Sequence, residues 1–359
     1  MTAIVLGVAL AAGPAAAGRP GRPLVGAIRW DAWTGGAVTA QVARTLGPRK
    51  YHDRLPWFAE VVDDRRVKIA GGRQAVMDRE IAFAAGAGLD YWAFVVYPQA
   101  SEMSVALTQY LKSDRRERIR FSLILHSTLK ARGRAWPAER DRAVALLTER
   151  GYQTVAGGRP LVYAFVGRDF PFERFGEFLS AAKKRKLNPY CVYMGWNPAG
   201  DFKRVSKQGF DAVSAYAKAG NQRRFSDLAA AVEKDYWANA AASAVPYVPL
   251  VTTGWDKRPR KDNPVSWETG HAYHRQDVFP SRATPAEIAL HLRRGLAFVR
   301  EHPRVCQAGT VIIYAWNEYD EGGWLAPTRR PDGKPDTSRL DAVRRVLKAP
   351  DPQTKGDTR

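Results

Sequence analysis

Short apolar runs alternate with longer amphipathic segments along most of the chain. The apolar runs are rich in β-branched and aromatic residues, which is typical of strands that are buried on both faces. This pattern predicts eight strands: Leu24–Trp30, Asp90–Tyr97, Ile119–His126, Pro160–Val166, Tyr190–Gly195, Phe210–Tyr216, Tyr247–Thr252 and Thr310–Trp316.

Segments with a helical spacing of apolar residues separate these strands. Pro137 and Pro285 suit the first turn of a helix, and Gly86 and Gly151 suit positions where a helix ends. The predicted helices are Gln74–Ala85, Val105–Lys112, Pro137–Arg150, Phe172–Lys186, Phe225–Ala242, Pro285–Arg300 and Thr337–Leu347. Eight strands that alternate with helices predict an α/β fold, a (β/α)8 TIM barrel that forms a single domain over residues 18–348.

The N-terminus has the pattern of an export signal. An apolar run over Ala3–Ala12 is followed by Gly13–Ala17, which resembles a small-residue cleavage site. The sequence therefore predicts a signal peptide over residues 1–17 and a secreted or periplasmic protein, although the usual positively charged start is missing. The run is too short to cross a bilayer, so no stable membrane insertion is expected. An uncleaved anchor is the alternative, and residues 349–359 are predicted to form a flexible tail.

The chain of 359 residues carries a formal net charge of +20. Its basic runs, at 114–120, 183–186 and 258–261, are spread along the chain, and no zinc-finger, basic-zipper or RNP-like pattern accompanies them. Nucleic acid is therefore not the predicted partner, and attraction to an anionic polysaccharide or cell envelope explains the charge more simply. The two cysteines, Cys191 and Cys306, are expected to be free buried thiols.

The most informative segment is Val311–Trp324, where a strand pattern ends abruptly in acidic, amide and aromatic residues. Glu318 and Glu321 are three residues apart, so a helical turn would place their Cβ atoms about 5–6 Å apart on one face. Two carboxyl groups at such a separation can divide acid and base work on one sugar. A general acid needs a raised pKa at neutral pH. A neighbouring carboxylate and burial among aromatic rings would both raise the pKa of a glutamate in this segment. The alternative is an acidic, solvated turn, and Asp320 is expected to be solvated or salt-bridged.

The carboxyl ends of barrel strands converge on one mouth, and aromatic residues recur at these ends. Any one of these rings is more often a core residue than a ligand contact, but their coincidence predicts an aromatic-lined sugar pocket. The candidate substrate-binding residues from this argument are Trp30, Asp31, Trp33, Tyr97, His126, Trp196, Asn197, Tyr216, Trp316 and Tyr319.

Three segments, Ala82–Pro98, Val248–Arg260 and Ala315–Gly322, resemble glycoside hydrolase family 99 and bacterial relatives labelled as O-antigen glycosyltransferases. The resemblance implies a (β/α)8 endo-acting α-mannosidase or α-mannanase that retains anomeric configuration without a metal or other cofactor. It implies that Glu318 deprotonates the sugar 2-hydroxyl to form a 1,2-anhydro intermediate, and that Glu321 is the general acid and then the base. It also implies four sugar contacts: Trp255, Asp256, Arg260 and Asn317.

Two departures from the family pattern predict a subsite that differs from that of mannose. Gly322–Pro327 lacks the acidic residue that many relatives have before the proline, and Val96–Gln99 has less aromatic character than expected. The sequence thus predicts an exported retaining glycoside hydrolase that acts on an α-linked, mannan-like glycan or on a bacterial polysaccharide, including an anionic one.

Two other functions remain open at this point. A glycosyltransferase of surface polysaccharide assembly would need a donor site, and the chain has no phosphate-binding glycine loop, although a lipid-linked donor would not require one. A catalytically silent carbohydrate-binding barrel would keep the aromatic mouth and use Glu318 and Glu321 to hold hydroxyls. His271 and His274 do not complete a zinc-hydrolase spacing with Glu268 and are expected in a loop, where His271 or Tyr273 would rim the cleft.

The export signal leads to a first testable prediction. If Ala3–Ala17 is cleaved, the mature protein begins near Gly18 and accumulates outside the cytoplasm. N-terminal sequencing of the protein from its native host checks this, and a cytoplasmic protein that retains Met1 would contradict it.

Overall fold

The computed structural model describes residues 22–131, 133, 135–165 and 169–349. The predicted signal peptide and all of the predicted tail except residue 349 lie outside these residues. The last residue of the predicted fourth strand, Val166, also lies outside them.

Eight parallel strands form a barrel, as the sequence predicts. Each strand pairs with its neighbours in chain order, and the eighth returns to the first with Leu24 opposite Thr310. The ring closes at a parallel bridge between Val213 and Tyr247. The strands are β1 Leu24–Arg29, β2 Tyr91–Val96, β3 Arg120–Leu125, β4 Arg159–Ala164, β5 Tyr190–Met194, β6 Ala212–Ser214, β7 Leu250–Thr252 and β8 Thr310–Tyr314.

Helices follow the strands on the outside of the barrel. They are α1 Gly36–Leu46, α2 Gln74–Ala87, α3 Val105–Lys112, α4 Ala135–Leu146, α5 Phe172–Lys184, α6 Pro198–Val205, α7 Phe225–Val232, α8 Asn239–Ala242, α9 Arg258–Asp262, α10 Pro285–Glu301 and α11 Ser338–Lys348. A π-helical segment, Glu233–Ala238, joins α7 to α8, so the predicted helix over Phe225–Ala242 is continuous but not uniform. All seven predicted helices are present, with ends that differ by a few residues.

Three helices were not predicted, and each has a physical reason. α1 begins at a pair of glycines and is rich in β-branched residues, which have low helix propensity. α6 and α9 are short, although Asn197 and Pro198 form a regular start signal for α6. The predicted exit at Gly86 is also displaced, because α2 continues to Ala87 and Gly88 adopts the left-handed conformation that ends it.

Tyr91 fills the floor of the barrel. Its hydroxyl lies 2.8 Å from the hydroxyl of Tyr163 and 3.0 Å from that of Thr310, so it connects strands β2, β4 and β8. The ring occupies space next to Gly26 of β1, where a Cβ atom would collide with it. Gly26 is therefore required by packing at this level of the barrel.

Cys191 and Cys306 are both free and buried, as the sequence predicts. Among the helices that the structure describes, none combines the length and apolar character needed to cross a bilayer.

The packing at Gly26 generates a stability prediction. Gly26→Ala places a methyl group inside the Tyr91 ring, and overpacking of this kind typically costs about 1–3 kcal/mol. Gly86→Ala is the matched control, because an added Cβ there meets no atom within 4 Å and α2 gains helix propensity. The midpoint of urea unfolding should fall for Gly26→Ala and stay level or rise for Gly86→Ala. Equal midpoints would contradict the packing argument.

Candidate active site

The two candidate carboxylates lie in a tight turn at the carboxyl end of β8. Asn317–Glu318 pairs antiparallel with Gly323–Trp324, and Tyr319–Glu321 between them forms a single 3-10 turn. In this turn both Glu318 and Glu321 approach the guanidinium of Arg260. Both side chains are almost completely buried, at 2% and 7% exposure.

Glycines allow this turn to pack directly on the loop after β7. Gly322 has φ of 83°, and a Cβ there would collide with the backbone of Asp256. Gly254 has φ of 142°, and a Cβ there would collide with the carbonyl of Gly322. The amide of Asp256 donates to the carbonyl of Glu321 at 2.7 Å. The two loops are therefore in direct main-chain contact.

Arg260 of α9 lies at the centre of the acidic turn. Its guanidinium is 1% exposed and donates to both oxygens of Asp320, at 2.7 and 3.1 Å, and also to Glu321. Its Nη2 is 4.0 Å from Oε2 of Glu318, and its Nη1 is 3.0 Å from Glu268. Asp320 is thus buried and salt-bridged, and the alternative of a solvated residue is wrong.

Lys257 and Glu268 complete the charged group. The Lys257 ammonium lies 2.9 Å from Glu321 and 2.8 Å from Glu268, above the rings of Trp255 and Tyr273. Burial opposes the ionisation of Glu268, but Arg260 and Lys257 lower its pKa to about 2. Sequence reasoning did not select Lys257. The signal available was its position directly after the candidates Trp255 and Asp256.

The two glutamates occupy different environments. Glu321 accepts from Lys257, Arg260 and the hydroxyl of Tyr314, which is 2.5 Å away. Glu318 accepts from the hydroxyl of Tyr216 at 2.6 Å, and its Oε2 has no hydrogen-bond partner among the described residues. Burial and the neighbouring Glu321 raise the pKa of Glu318 well above its usual range. The pair thus combines a carboxyl group that accepts from a neutral hydroxyl with one that contacts two cations.

Aromatic side chains surround this pair at the mouth of the barrel. The sequence predicted Trp30, Tyr97, His126, Tyr216 and Trp255 as members of this group. The structure adds Phe165, Tyr314 and Trp267, and adjacent members contact each other in the order Trp267, Trp30, Tyr97, His126, Phe165, Tyr216, Tyr314 and Trp255. Phe165 directly follows β4 and Tyr314 ends β8, whereas the predicted strands Pro160–Val166 and Thr310–Trp316 run past both residues, so the strand-end argument did not select them. Burial lowers the pKa of His126 to about 4, so its ring is neutral at neutral pH.

Two tryptophans near the mouth are exposed to solvent. Trp196 is 50% exposed and packs edge-on against Phe165, whose ring stacks on Tyr216. Trp267 is 37% exposed and lies beside Trp30 and the Arg260 guanidinium. These rings have apolar faces that a sugar can reach.

Three other predicted contacts are packing residues. Trp33, Trp316 and Tyr319 are at most 2% exposed; Trp316 packs on Trp92 of β2, and Trp33 packs edge-on against Tyr319. The expectation that these rings present open faces to a sugar is therefore not met in this structure. Their position beneath the turn gives them a supporting role.

Asp31 and Asn317 form a buried network below the mouth. Asn317 accepts from the amide of Trp30 at 2.9 Å and donates to Asp31 at 3.2 Å. Asp31 accepts from Arg29, which also pairs with Glu80 of α2 at 2.6 Å. This network fixes the end of β1 against the turn after β8, so the polar groups of both predicted contacts are used within the protein.

Asp256 and Asn197 likewise have internal partners. Burial opposes the ionisation of Asp256, but Arg258 and Arg54 lower its pKa. Asn197 is exposed at the start of α6, where its side chain accepts from the amide of Gly200 at 3.3 Å. His271 is exposed in the loop after α9, whereas the hydroxyl of Tyr273 donates to Glu268 at 2.8 Å.

Solved structures with the same fold include glycoside hydrolases. An endo-α-mannosidase of glycoside hydrolase family 99 from Bacteroides thetaiotaomicron, bound to bis-tris-propane, aligns with a TM-score of 0.55 at 12% identity, over 90% of this chain and 95% of that chain. A second structure of that enzyme gives a TM-score of 0.54 at 11% identity with the same coverage. No protein-family model and no curated protein matches the sequence. At such low identity the similarity establishes the barrel fold and not membership of family 99.

The buried and the exposed aromatic residues should contribute differently to stability, and this difference can be tested. Trp316→Ala should lower the free energy of unfolding by about 3–5 kcal/mol, because a fully buried ring is removed. Trp196→Ala, at a half-exposed ring, should change it by less than about 0.5 kcal/mol. Urea unfolding of both variants checks this. A large loss of stability in Trp196→Ala would contradict its description as an exposed surface.

Proposed function

We propose that this protein is a retaining glycoside hydrolase that uses Glu318 and Glu321 as its catalytic carboxyl groups. The observation that carries the proposal is the pair itself: Glu318 is buried with a neutral hydrogen-bond donor and a raised pKa, whereas Glu321 beside it contacts two cations. Hydrolysis of a glycosidic bond needs both forms, one to protonate the leaving oxygen and one to act as base or nucleophile. The barrel mouth is the usual place for such a pair in this fold.

The proposed substrate is an α-linked, mannan-like glycan or another bacterial polysaccharide. The resemblance at Val248–Arg260 and Ala315–Gly322 supports this, and the exposed rings of Trp196 and Trp267 offer sugar-binding faces near the carboxyl pair. An anionic polysaccharide remains part of the proposal because of the charge of +20. Action outside the cytoplasm, after export, also belongs to it.

Product analysis on a panel of α-mannans and acidic bacterial polysaccharides tests the function. We expect shorter sugars that keep the anomeric configuration of the substrate, without any added nucleotide sugar and after exhaustive chelation. Sugar transfer from an activated donor without hydrolysis would favour the glycosyltransferase alternative instead. Binding without turnover would favour the silent carbohydrate-binding barrel.

Glutamine substitutions test the catalytic pair. Glu318→Gln and Glu321→Gln should each reduce kcat by about 10²–10⁴-fold, because acid–base contributions are of that size. The variant that lacks the acid should recover with substrates whose leaving groups are activated, since these need little protonation. Glu233→Gln, a partly exposed glutamate that pairs with His291 and Arg294, is the control and should leave activity unchanged. Activity within a few-fold of wild type in both pair variants would exclude this turn as the catalytic centre.

A further inference from the structure

Among the residues that the structure describes, the charged group beneath the mouth contains more acids than bases. Two cations, Lys257 and Arg260, face four carboxyl groups, which belong to Glu268, Glu318, Asp320 and Glu321. Asp320 and Glu318 are at most 2% exposed, and Glu321 is 7% exposed. Because an uncompensated buried charge is costly, this imbalance favours the uptake of a proton by one of these groups.

The hydrogen bonds decide which group is protonated. Asp320 accepts two hydrogen bonds from the guanidinium of Arg260. Glu268 forms ion pairs with Lys257 and Arg260 and accepts a hydrogen bond from the hydroxyl of Tyr273. Glu321 forms an ion pair with Lys257 and accepts hydrogen bonds from Arg260 and from the hydroxyl of Tyr314. Among the described residues, Glu318 accepts a hydrogen bond only from the neutral hydroxyl of Tyr216, and the nearest cationic atom, Nη2 of Arg260, is 4.0 Å away. Glu318 is therefore the carboxyl group that is least stabilised as an anion.

Lys257 makes the difference between the two glutamates. Arg260 is near both, but the Lys257 ammonium contacts Glu321 and Glu268 and has no described contact with Glu318. It is 4% exposed and is held by the rings of Trp255 and Tyr273, with centroids 4.6 and 4.8 Å from Nζ. Its charge is thus fixed on one side of the pair.

We propose that Lys257 is a positioning residue that keeps Glu321 ionised in the ligand-free enzyme and directs the proton of the pair to Glu318. As the general acid, Glu318 passes this proton to the leaving oxygen as the glycosidic bond breaks. The Glu321 carboxylate accepts the proton of the sugar 2-hydroxyl, whose oxygen forms a bond to the anomeric carbon. This exchanges the two roles that the family resemblance implies. The assignment to catalysis rests on the proposed function, whereas the location of the proton does not.

Infrared spectroscopy locates the proton without any need for turnover. Near neutral pH, the difference spectrum between wild type and Glu318→Gln should show the loss of a protonated carboxyl band. Loss of a carboxylate band in Glu318→Gln, with the protonated band retained, would overturn the proposal.

Substitution of Lys257 tests its role in the same spectra. Lys257→Met leaves one cation for four carboxyl groups, so a second protonated carboxyl band should appear, and Lys257→Arg should keep the wild-type spectrum. The new band should be absent in Lys257→Met/Glu321→Gln and present in Lys257→Met/Glu268→Gln. Lys218→Met is the matched control, because Lys218 pairs with Asp235 and lies over Tyr236 without contact to either catalytic glutamate. If Lys257→Met does not fold, Lys257→Gln removes the charge and keeps a hydrogen-bond donor.

The pH dependence of hydrolysis gives a second readout. Lys257→Met removes one of the two cations that contact the Glu321 carboxylate, so the acidic limb of kcat/KM should move to higher pH in Lys257→Met and not in Lys257→Arg or Lys218→Met. In addition, Glu318→Gln should be the variant that an activated leaving group rescues. An unchanged infrared spectrum and pH profile in Lys257→Met would overturn the proposal. The expected spectra without hydrolysis of any glycan would contradict the proposed function alone.

Discussion

The buried guanidinium of Arg260 is the interaction on which the rest of the site depends. It joins α9 to the turn after β8 through Asp320 and Glu321, and it approaches Glu268 and Glu318. A cation in this position is expensive to desolvate, and only several well-placed acidic partners offset that cost. Its partners raise the pKa of Arg260 despite burial, so its charge is permanent. The turn can therefore hold three carboxyl groups close together, with Glu268 of the loop after α9 as a fourth.

The sequence was sufficient for the fold because the barrel is determined by local patterns. Each of the eight strands is an apolar run between amphipathic segments, and all eight are present in the predicted order. The missed helix α1 shows the limit of this reasoning. Its β-branched residues argue against a helix locally, and packing of Val42 and Leu46 in the core overrides that preference.

Only part of the site could be predicted from the sequence. Glu318 and Glu321 stand out in a short acidic segment, and Arg260 entered through the family resemblance. Lys257 is separated from Glu321 along the chain, and its importance depends on a distance that no local pattern contains. Similarly, the sequence shows that Trp196 and Trp316 both follow strands, but only tertiary packing distinguishes the exposed ring from the buried one.

The main-chain contact between Gly254 and Gly322 has a consequence for motion. The loops after β7 and β8 touch without intervening side chains, and a hydrogen bond from the amide of Asp256 to the carbonyl of Glu321 joins them. Side chains that lie between two loops can usually change conformation when one loop moves, so the other loop need not follow. Here a displacement of one loop is passed directly to the other. The cation-bearing loop and the carboxylate-bearing turn should therefore move as one rigid unit, and the opposite side of the mouth, near Trp196, is left to adjust to the shape of the ligand.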